Sequence, residues 1–275
     1  MADGHPLFGS VFSSQPAQSL LSVSATRLAL VFRSLVGVTG AAPERALLYG
    51  TRPYLEAYAA HTDQRVLKDP HAAVGGKWEA VGRLQFDYLV ANGLRPDSRL
   101  LDLGCGTLRG GRHFIPYLNP LNYTGTDISL KAIEYAHRLV RDENLAAREP
   151  RLIHRRRGEA FFADLGDAHF DFILAQSVFT HLPADVVEEC FASVGRVMGP
   201  SAVFFFTFQH EAEHRRKDLK DFAHPSRLFA DLAERHNFLF ETRDDYNHPR
   251  GQTMASLRHQ SLCSRSQRPG SVFAH

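Results

Sequence analysis

Cysteine is scarce in this chain of 275 residues, which holds only three, Cys105, Cys190 and Cys263. A small, odd set of thiols excludes a framework of structural disulfides and points to a reducing compartment, with the cytoplasm as the default. An excess of one charge is also missing: 32 Lys and Arg against 30 Asp and Glu leave a formal net charge of +2, too little to recruit a polyanion. The basic clusters Arg155-Arg156-Arg157 and Arg215-Arg216-Lys217 are not interleaved with aromatics, so they read as solvated loops and argue against a nucleic-acid partner. A membrane-spanning run is lacking too. The best approach to one, Leu20 to Val38, is broken by Arg27 and Arg33. Each would cost roughly 2.5 to 3.5 kcal/mol near the middle of a span, which disfavours stable membrane insertion.

From Gly4 to Pro43 there is no acidic residue, and serine is frequent. That composition imitates an organelle transit peptide and also suits a helix that covers a cleft or docks a partner. We read residues 1–74 as a helical appendage, and the polar, aperiodic stretch 261–275 as an unstructured tail. Residues 75–260 remain as one domain, without repeats or low-complexity segments.

Within that domain strands alternate with helices, which predicts an α/β fold with a mainly parallel sheet. Strands are expected at Arg99 to Leu103, Tyr123 to Asp127, Arg151 to Arg155, Asp171 to Ser177, Ser201 to Gln209, Phe238 to Asp244 and Thr253 to Arg258. The run from Val203 to Phe208 is apolar at nearly every position, as a central strand covered on both faces should be. Val186, Val187, Cys190, Phe191, Val194, Val197 and Met198 fall on one helical stripe, with Pro183 near its start and Gly199-Pro200 at its stop. Glu79 to Leu94 carries a second amphipathic helix, headed by Gly75-Gly76.

The densest chemical signal is Leu100-Leu101-Asp102-Leu103-Gly104-Cys105-Gly106-Thr107, followed by Asp127 at the end of the next strand. An apolar run ending in two closely spaced glycines describes a buried strand that turns sharply, and an acid about twenty residues on suits ribose hydroxyls. A dinucleotide fingerprint wants a third glycine three positions after Gly106, and Arg109 stands there. With Asp102 before the turn, the chain from about Gly75 to His259 resembles the class I S-adenosylmethionine-dependent methyltransferases, whose first motif reads acid-x-Gly-x-Gly. It departs from many members at Leu108, where they carry another glycine.

The resemblance implies a Rossmann-like, doubly wound sheet of seven strands and S-adenosyl-L-methionine as cofactor. Asp102 and the turn Gly104, Cys105, Gly106 and Thr107 would seat the methionine portion, the exposed amides at a helix start receiving its carboxylate. Asp127 would take the ribose hydroxyls, and Ile128 would pack on adenine. Near the third strand end, Phe161 and Phe162 either border adenine or pack in the core. Gln176 and Ser177 end the fourth strand, in a segment running to Pro183 that looks like its counterpart in small-molecule methyltransferases. It lacks the Asp/Asn-Pro-Pro-aromatic tetrad of enzymes acting on adenine amines or on glutamine.

His181, just past that strand, is the leading candidate for a general base; it serves equally well as a helix cap or a backbone-bonded histidine. Two further segments invite a role. His210-Glu211-Ala212-Glu213-His214 matches a zinc-protease pattern but sits in a charged loop without a third ligand, so no metal is expected. The loop from Asp244 to Gln252 resembles one in a bacterial subgroup that also carries Val74-Gly75-Gly76-x-Trp78 and a Cys-Gly-Thr/Ser-Leu-Arg-Gly-Gly motif. Trp78, Tyr246, His248 and Arg250 would then meet the acceptor, or Trp78 packs in the core and the loop bonds to itself. The expected partner is a small-molecule acceptor, methylated on oxygen, nitrogen or carbon in secondary-metabolite or saccharide biosynthesis, and a homodimer stays open. The alternatives are a nicotinamide-dependent oxidoreductase, against which Arg109 and the lack of a Tyr-x-x-x-Lys dyad both count, and a non-catalytic binding protein.

Overall fold

The computed structural model describes residues 43–155 and 161–260; the expectations for residues 1–42, for Arg156 and Arg157, and for the tail 261–275 with Cys263 fall outside them. Three helices come first: α1 (Pro43–Thr51), α2 (Tyr54–Lys68) and α3 (Pro70–Ala73). After the turn at Gly75-Gly76 runs α4 (Trp78–Ala91), then β1 (Leu100–Leu103), α5 (Gly111–Tyr117), β2 (Tyr123–Asp127), α6 (Leu130–Asp142) and β3 (Arg151–His154). The second half holds β4 (Phe170–Ala175), α7 (Ala184–Val194), β5 (Met198–Phe208), a small hairpin of β6 (Arg215–Arg216) and β7 (Phe222–Ala223), α8 (Ser226–Arg235), β8 (Phe238–Arg243) and β9 (Thr253–His259).

Seven strands form one sheet in the order β3-β2-β1-β4-β5-β9-β8. β3, β2, β1, β4 and β5 run parallel, and β9 is antiparallel to both β5 and β8. The doubly wound sheet expected from the sequence is therefore present. Its strand order reverses between β1 and β4, and open sheets of this kind bind ligands beyond the strand ends at that point.

β5 shows why the sheet is central. Phe204, Phe206 and Phe208 enter one buried cluster with Phe191 and Phe229, while Val203 and Phe205 enter the other with Leu100 and Phe114. Alternation along a strand thus fills both layers. β5 begins at Met198, three residues earlier than expected, because Met198 pairs with Phe170 before a register shift brings Val203 opposite Phe172. The stripe read through Met198 therefore splits: Val187, Cys190, Phe191 and Val194 are buried in α7, and Met198 belongs to the strand.

The helices before Gly75 dock on the sheet domain at specific points. Ser129 caps α6 by accepting from the Ala132 amide at 3.1 Å, and its Oγ donates to Asp63 of α2 at 2.6 Å. The same Asp63 oxygen accepts the Lys131 amide at 3.0 Å. An acid from α2 thus supplements the cap of a helix far along the chain, where exposed amides favour negative charge. Among the described residues no helix is long and apolar enough to cross a membrane. Cys105 and Cys190 are buried and unbridged.

Candidate active site

A cavity of about 390 Å³ opens beyond the carboxyl ends of β1, β2 and β4. Its floor is Asp102, Gly104, Cys105, Gly106, Asp127, Ile128, Gln176 and Ser177. Tyr58, Thr62 and Arg65 of α2 and the turn Val74-Gly75 cover it, and Lys217, Lys220 and Asp221 come in from the β6–β7 hairpin. Phe161, His181, His248 and Arg250 complete the set of expected residues that line it.

Four expected residues do not line it. Thr107 is fully buried and its hydroxyl donates to the Pro70 carbonyl at 3.0 Å, so it ties α3 to the turn. Phe162 adopts φ +64 and packs in the core with Leu165, which resolves its two readings in favour of core. Trp78 opens α4 and stacks on His71 with ring centroids 3.9 Å apart. Tyr246 is buried against Tyr88, and its hydroxyl donates to Gln176 Oε1 at 2.7 Å. These contacts are scaffold. Burial of an aromatic removes more apolar surface from water than exposure in a polar cleft would, so core packing prevails.

The glycine turn also differs from expectation. α5 starts at Gly111, not at the glycines, because Gly104, Gly106 and Leu108 all take positive φ (+73, +56 and +66) and curl the loop back on β2. The amides of Gly104 and Cys105 both donate to the Thr126 carbonyl, at 2.8 and 3.0 Å, and the Gly106 amide donates to Asp127 Oδ2 at 2.9 Å. Those three donors are already engaged within the protein.

A cation just beyond the turn entered the sequence reading as the residue that broke the dinucleotide pattern and as the arginine of the Cys-Gly-Thr/Ser-Leu-Arg-Gly-Gly motif. Arg109 is 8% exposed and lines the cavity; its Nη1 donates to Val74 O at 2.7 Å and to Gly76 O at 3.2 Å, while its buried Nε makes no hydrogen bond. Arg250 donates to Gly75 O, so two guanidinium groups pin the turn that the sequence marked as a flexible head. Burial lowers the Arg109 pKa to about 10, with Arg250 pushing the same way. Burial and both arginines also hold His248 down at about 4. A buried cation with an unused donor is what an anionic ligand group requires.

The two acids on the floor sit in different surroundings. Asp127 Oδ1 accepts the Ser129 amide at 2.7 Å while Oδ2 holds Gly106, yet burial still raises its pKa above the ordinary value. Asp102 is pushed up to about 6 by burial, against the opposing effect of the Tyr123 hydroxyl that donates to it at 2.7 Å. At the β4 end, Ser177 takes φ +59 and its amide donates to Thr207 Oγ1 at 2.7 Å. Gln252 Oε1 accepts from Ser177 Oγ at 2.9 Å and from Thr207 Oγ1 at 2.7 Å, closing a network that fixes this rim.

His181 ends the short turn Phe179–His181. Its Nδ1 lies 2.9 Å from Asp221 Oδ1 and 3.0 Å from Lys220 O. Burial lowers its pKa, and the Asp221 carboxylate opposes that. The loop from His210 to His214, read from sequence as a charged loop without a third metal ligand, leads into the hairpin. Glu211 pairs with Lys217 at 2.6 Å and Glu213 with Arg227, so both acids of the protease-like pattern are held by cations. No cluster fit to hold a metal ion occurs among the described residues. Sequence reading missed Tyr58, Arg65, Lys220 and Asp221; the one available signal was Tyr54 and Tyr58 a helical turn apart.

Comparison with known proteins agrees with this fold. Residues 101–204 match a family model described as a methyltransferase domain. The fold is similar to that of the magnesium protoporphyrin IX methyltransferase from Synechocystis PCC 6803 with bound SAH, at 14% identity and TM-score 0.55 over 73% of this chain and 98% of that one. It is similar also to an S-adenosylmethionine-dependent methyltransferase from Clostridium acetobutylicum, at 13% identity and TM-score 0.56 over 74% and 100% of the two chains. A TehB-like SAM-dependent methyltransferase from Corynebacterium glutamicum aligns at 21% identity and TM-score 0.51 over 73% and 98%.

Proposed function

We propose that this chain, whose residues 101–204 match a methyltransferase-domain model and whose fold is similar to that of S-adenosylmethionine-dependent methyltransferases, transfers a methyl group from that donor to a small-molecule acceptor seated between the glycine turn and His181. One observation carries the reading: Gly104 to Gly106, Asp127, Arg109 and His181 all line a single cavity at the switch point of the sheet. The cofactor supplies a methyl group on a sulfonium that is already activated for in-line displacement.

This chain's residues fit such a ligand. Asp127 keeps its carboxylate oriented by two backbone amides and would accept from ribose hydroxyls. Ile128 and Phe161 give apolar surface beside it for a base. Arg109, a cation that lines the cavity, would take the carboxylate of the methionine portion, the role the sequence had assigned to the turn's amides. Covering by α2 and the Val74 turn limits water, and alignment in such a site can supply on the order of 7 to 11 kcal/mol of the barrier. His181 stands at the rim away from Asp127's helix cap and would accept a proton from the acceptor.

Calorimetry with S-adenosylmethionine and with NAD tests the reading. Binding of the first and not the second is expected, and tight binding of NAD alone would refute it. His181→Ala should keep the affinity for the donor and lose roughly two to four orders of magnitude in rate. Full activity in that variant would reduce His181 to scaffold.

A further inference from the structure

Resting on the donor and base assigned above, we propose that the acceptor is a phenol, methylated on its hydroxyl oxygen, and that Asp221 is the positioning residue that makes His181 a base for it. The geometry around the imidazole sets its tautomer. Nδ1 faces two acceptors, Asp221 Oδ1 at 2.9 Å and Lys220 O at 3.0 Å. Two acceptors and no donor place the proton on Nδ1, which leaves the lone pair on Nε2. Lys220 Nζ sits 2.6 Å from the same Asp221 oxygen. Burial pushes Asp221 up, but its bonds to His181 and Lys220 outweigh this and hold it below the usual carboxylate range. Asp221 therefore stays ionised and orients the ring without taking its proton.

A base of this kind narrows the acceptor. Carboxylates and thiolates arrive already anionic and need none. An aliphatic amine arrives as a cation and needs a free carboxylate, and a neutral aromatic amine is left for the binding test to separate. Among the described residues the lining acids are Asp102, Asp127 and Asp221; the first two lie at the floor, and Asp221 is held by His181 and Lys220, whose ammonium repels a second cation. A hydroxyl fits both conditions.

The surroundings favour an aromatic one. The Tyr58 ring lies 5.4 Å from the His181 ring at 33°, Tyr54 stacks on Tyr58 at 6.3 Å and 17°, and Phe222 meets Tyr54 edge-on at 5.4 Å. Tyr58 and Phe222 line the cavity together with Leu55 and Leu182. A flat ring can lie against this wall with its hydroxyl towards the imidazole. A phenol, with a pKa of about 10 as in tyrosine, also gives up its proton to imidazole far more readily than an aliphatic alcohol does. In the step itself the phenolic O–H bond breaks and its proton passes to His181 Nε2. The oxygen's electron pair forms the bond to the methyl carbon, and the carbon–sulfur bond breaks with its electrons kept by sulfur. The products are an aryl methyl ether and a neutral thioether, and the imidazolium returns its proton to water.

The test uses the full chain saturated with S-adenosylhomocysteine; failure of that saturation would count against the proposed function, not against this inference. Phenol, catechol and 4-nitrophenol are titrated beside cyclohexanol, aniline and benzoate, and S-adenosylmethionine is then substituted to follow turnover. Phenols should bind at least tenfold tighter than cyclohexanol and aniline and yield methyl ethers. Asp221→Asn should cut kcat at least tenfold, leave KM for the donor within twofold, and move the acid limb of the pH–rate profile to lower pH, because the group that opposed burial at His181 is gone. Asp221→Glu should recover part of the rate and move the limb back. Preferred binding and turnover of aniline or benzoate, or an Asp221→Asn profile that superimposes on the wild type, overturns the proposal.

Discussion

Gly106→Ala strains the site at the point where two parts of the chain meet. Gly106 holds φ +56, and a Cβ there would lie 2.5 Å from Val74 Cγ1. The left-handed backbone alone costs an alanine about 1 kcal/mol relative to glycine. The overlap adds a second cost, since the stiff, β-branched Val74 cannot swing clear and overpacking of this kind costs roughly 1 to 3 kcal/mol. The single variant should therefore lose about 2 to 4 kcal/mol. Val74→Ala removes the clash at a price of about 1 kcal/mol for its half-buried methyls. The double variant should then lose about 2 kcal/mol, where simple addition gives about 3 to 5, so the pair couples by roughly 1 to 3 kcal/mol. Urea unfolding of the four proteins measures this cycle. Losses additive to within about 0.5 kcal/mol would show that Val74 does not rest on Gly106 and would undo the account of the covering turn.

Two further perturbations follow from the buried acids. Asp102, raised to about 6 from an ordinary 3.8, favours its protonated form in the folded state, so its stabilising contribution is complete below about pH 4 and is lost as the pH rises through 6. At 1.36 kcal/mol per pH unit that gap amounts to roughly 3 kcal/mol. Asp102→Asn should therefore gain on the wild type in urea midpoint between pH 4.5 and 7.5; a difference that stays constant across that range refutes it. Asp63→Ala should cost about 1 to 2 kcal/mol, as a lost helix-terminus acceptor does, and should lower hydrogen-exchange protection across Tyr54–Lys68. Unchanged protection there would mean that α2 is held by its apolar face alone.

The sheet was legible because its signals are local and strong. The run from Val203 to Phe208 could only be a strand covered on both sides, and the glycine turn located the end of β1. What escaped depends on contacts between distant segments. Nothing near Arg109 in sequence says that its Nη1 will meet Val74 and Gly76, and the turn's amides could not be known to be engaged until Thr126 and Asp127 lay beside them. The hairpin was missed for a different reason. β6 and β7 hold two residues each, too few to show a period, and their charges imitate a solvated loop. Trp78 and Tyr246 carried two readings each, and the structure places Trp78 on His71 and Tyr246 on Gln176, off the lining of the main cavity.

The cavity is assembled from pieces far apart in the chain. Its floor belongs to the stretch that matches the methyltransferase domain, whereas Tyr58, Arg65 and Val74 above it and Lys220 and Asp221 beside it lie outside residues 101–204. For the engineer the same division has a practical edge. A fragment trimmed to residues 101–204 would lose both the roof and Asp63, the acid that holds Ser129, whose amide bonds Asp127.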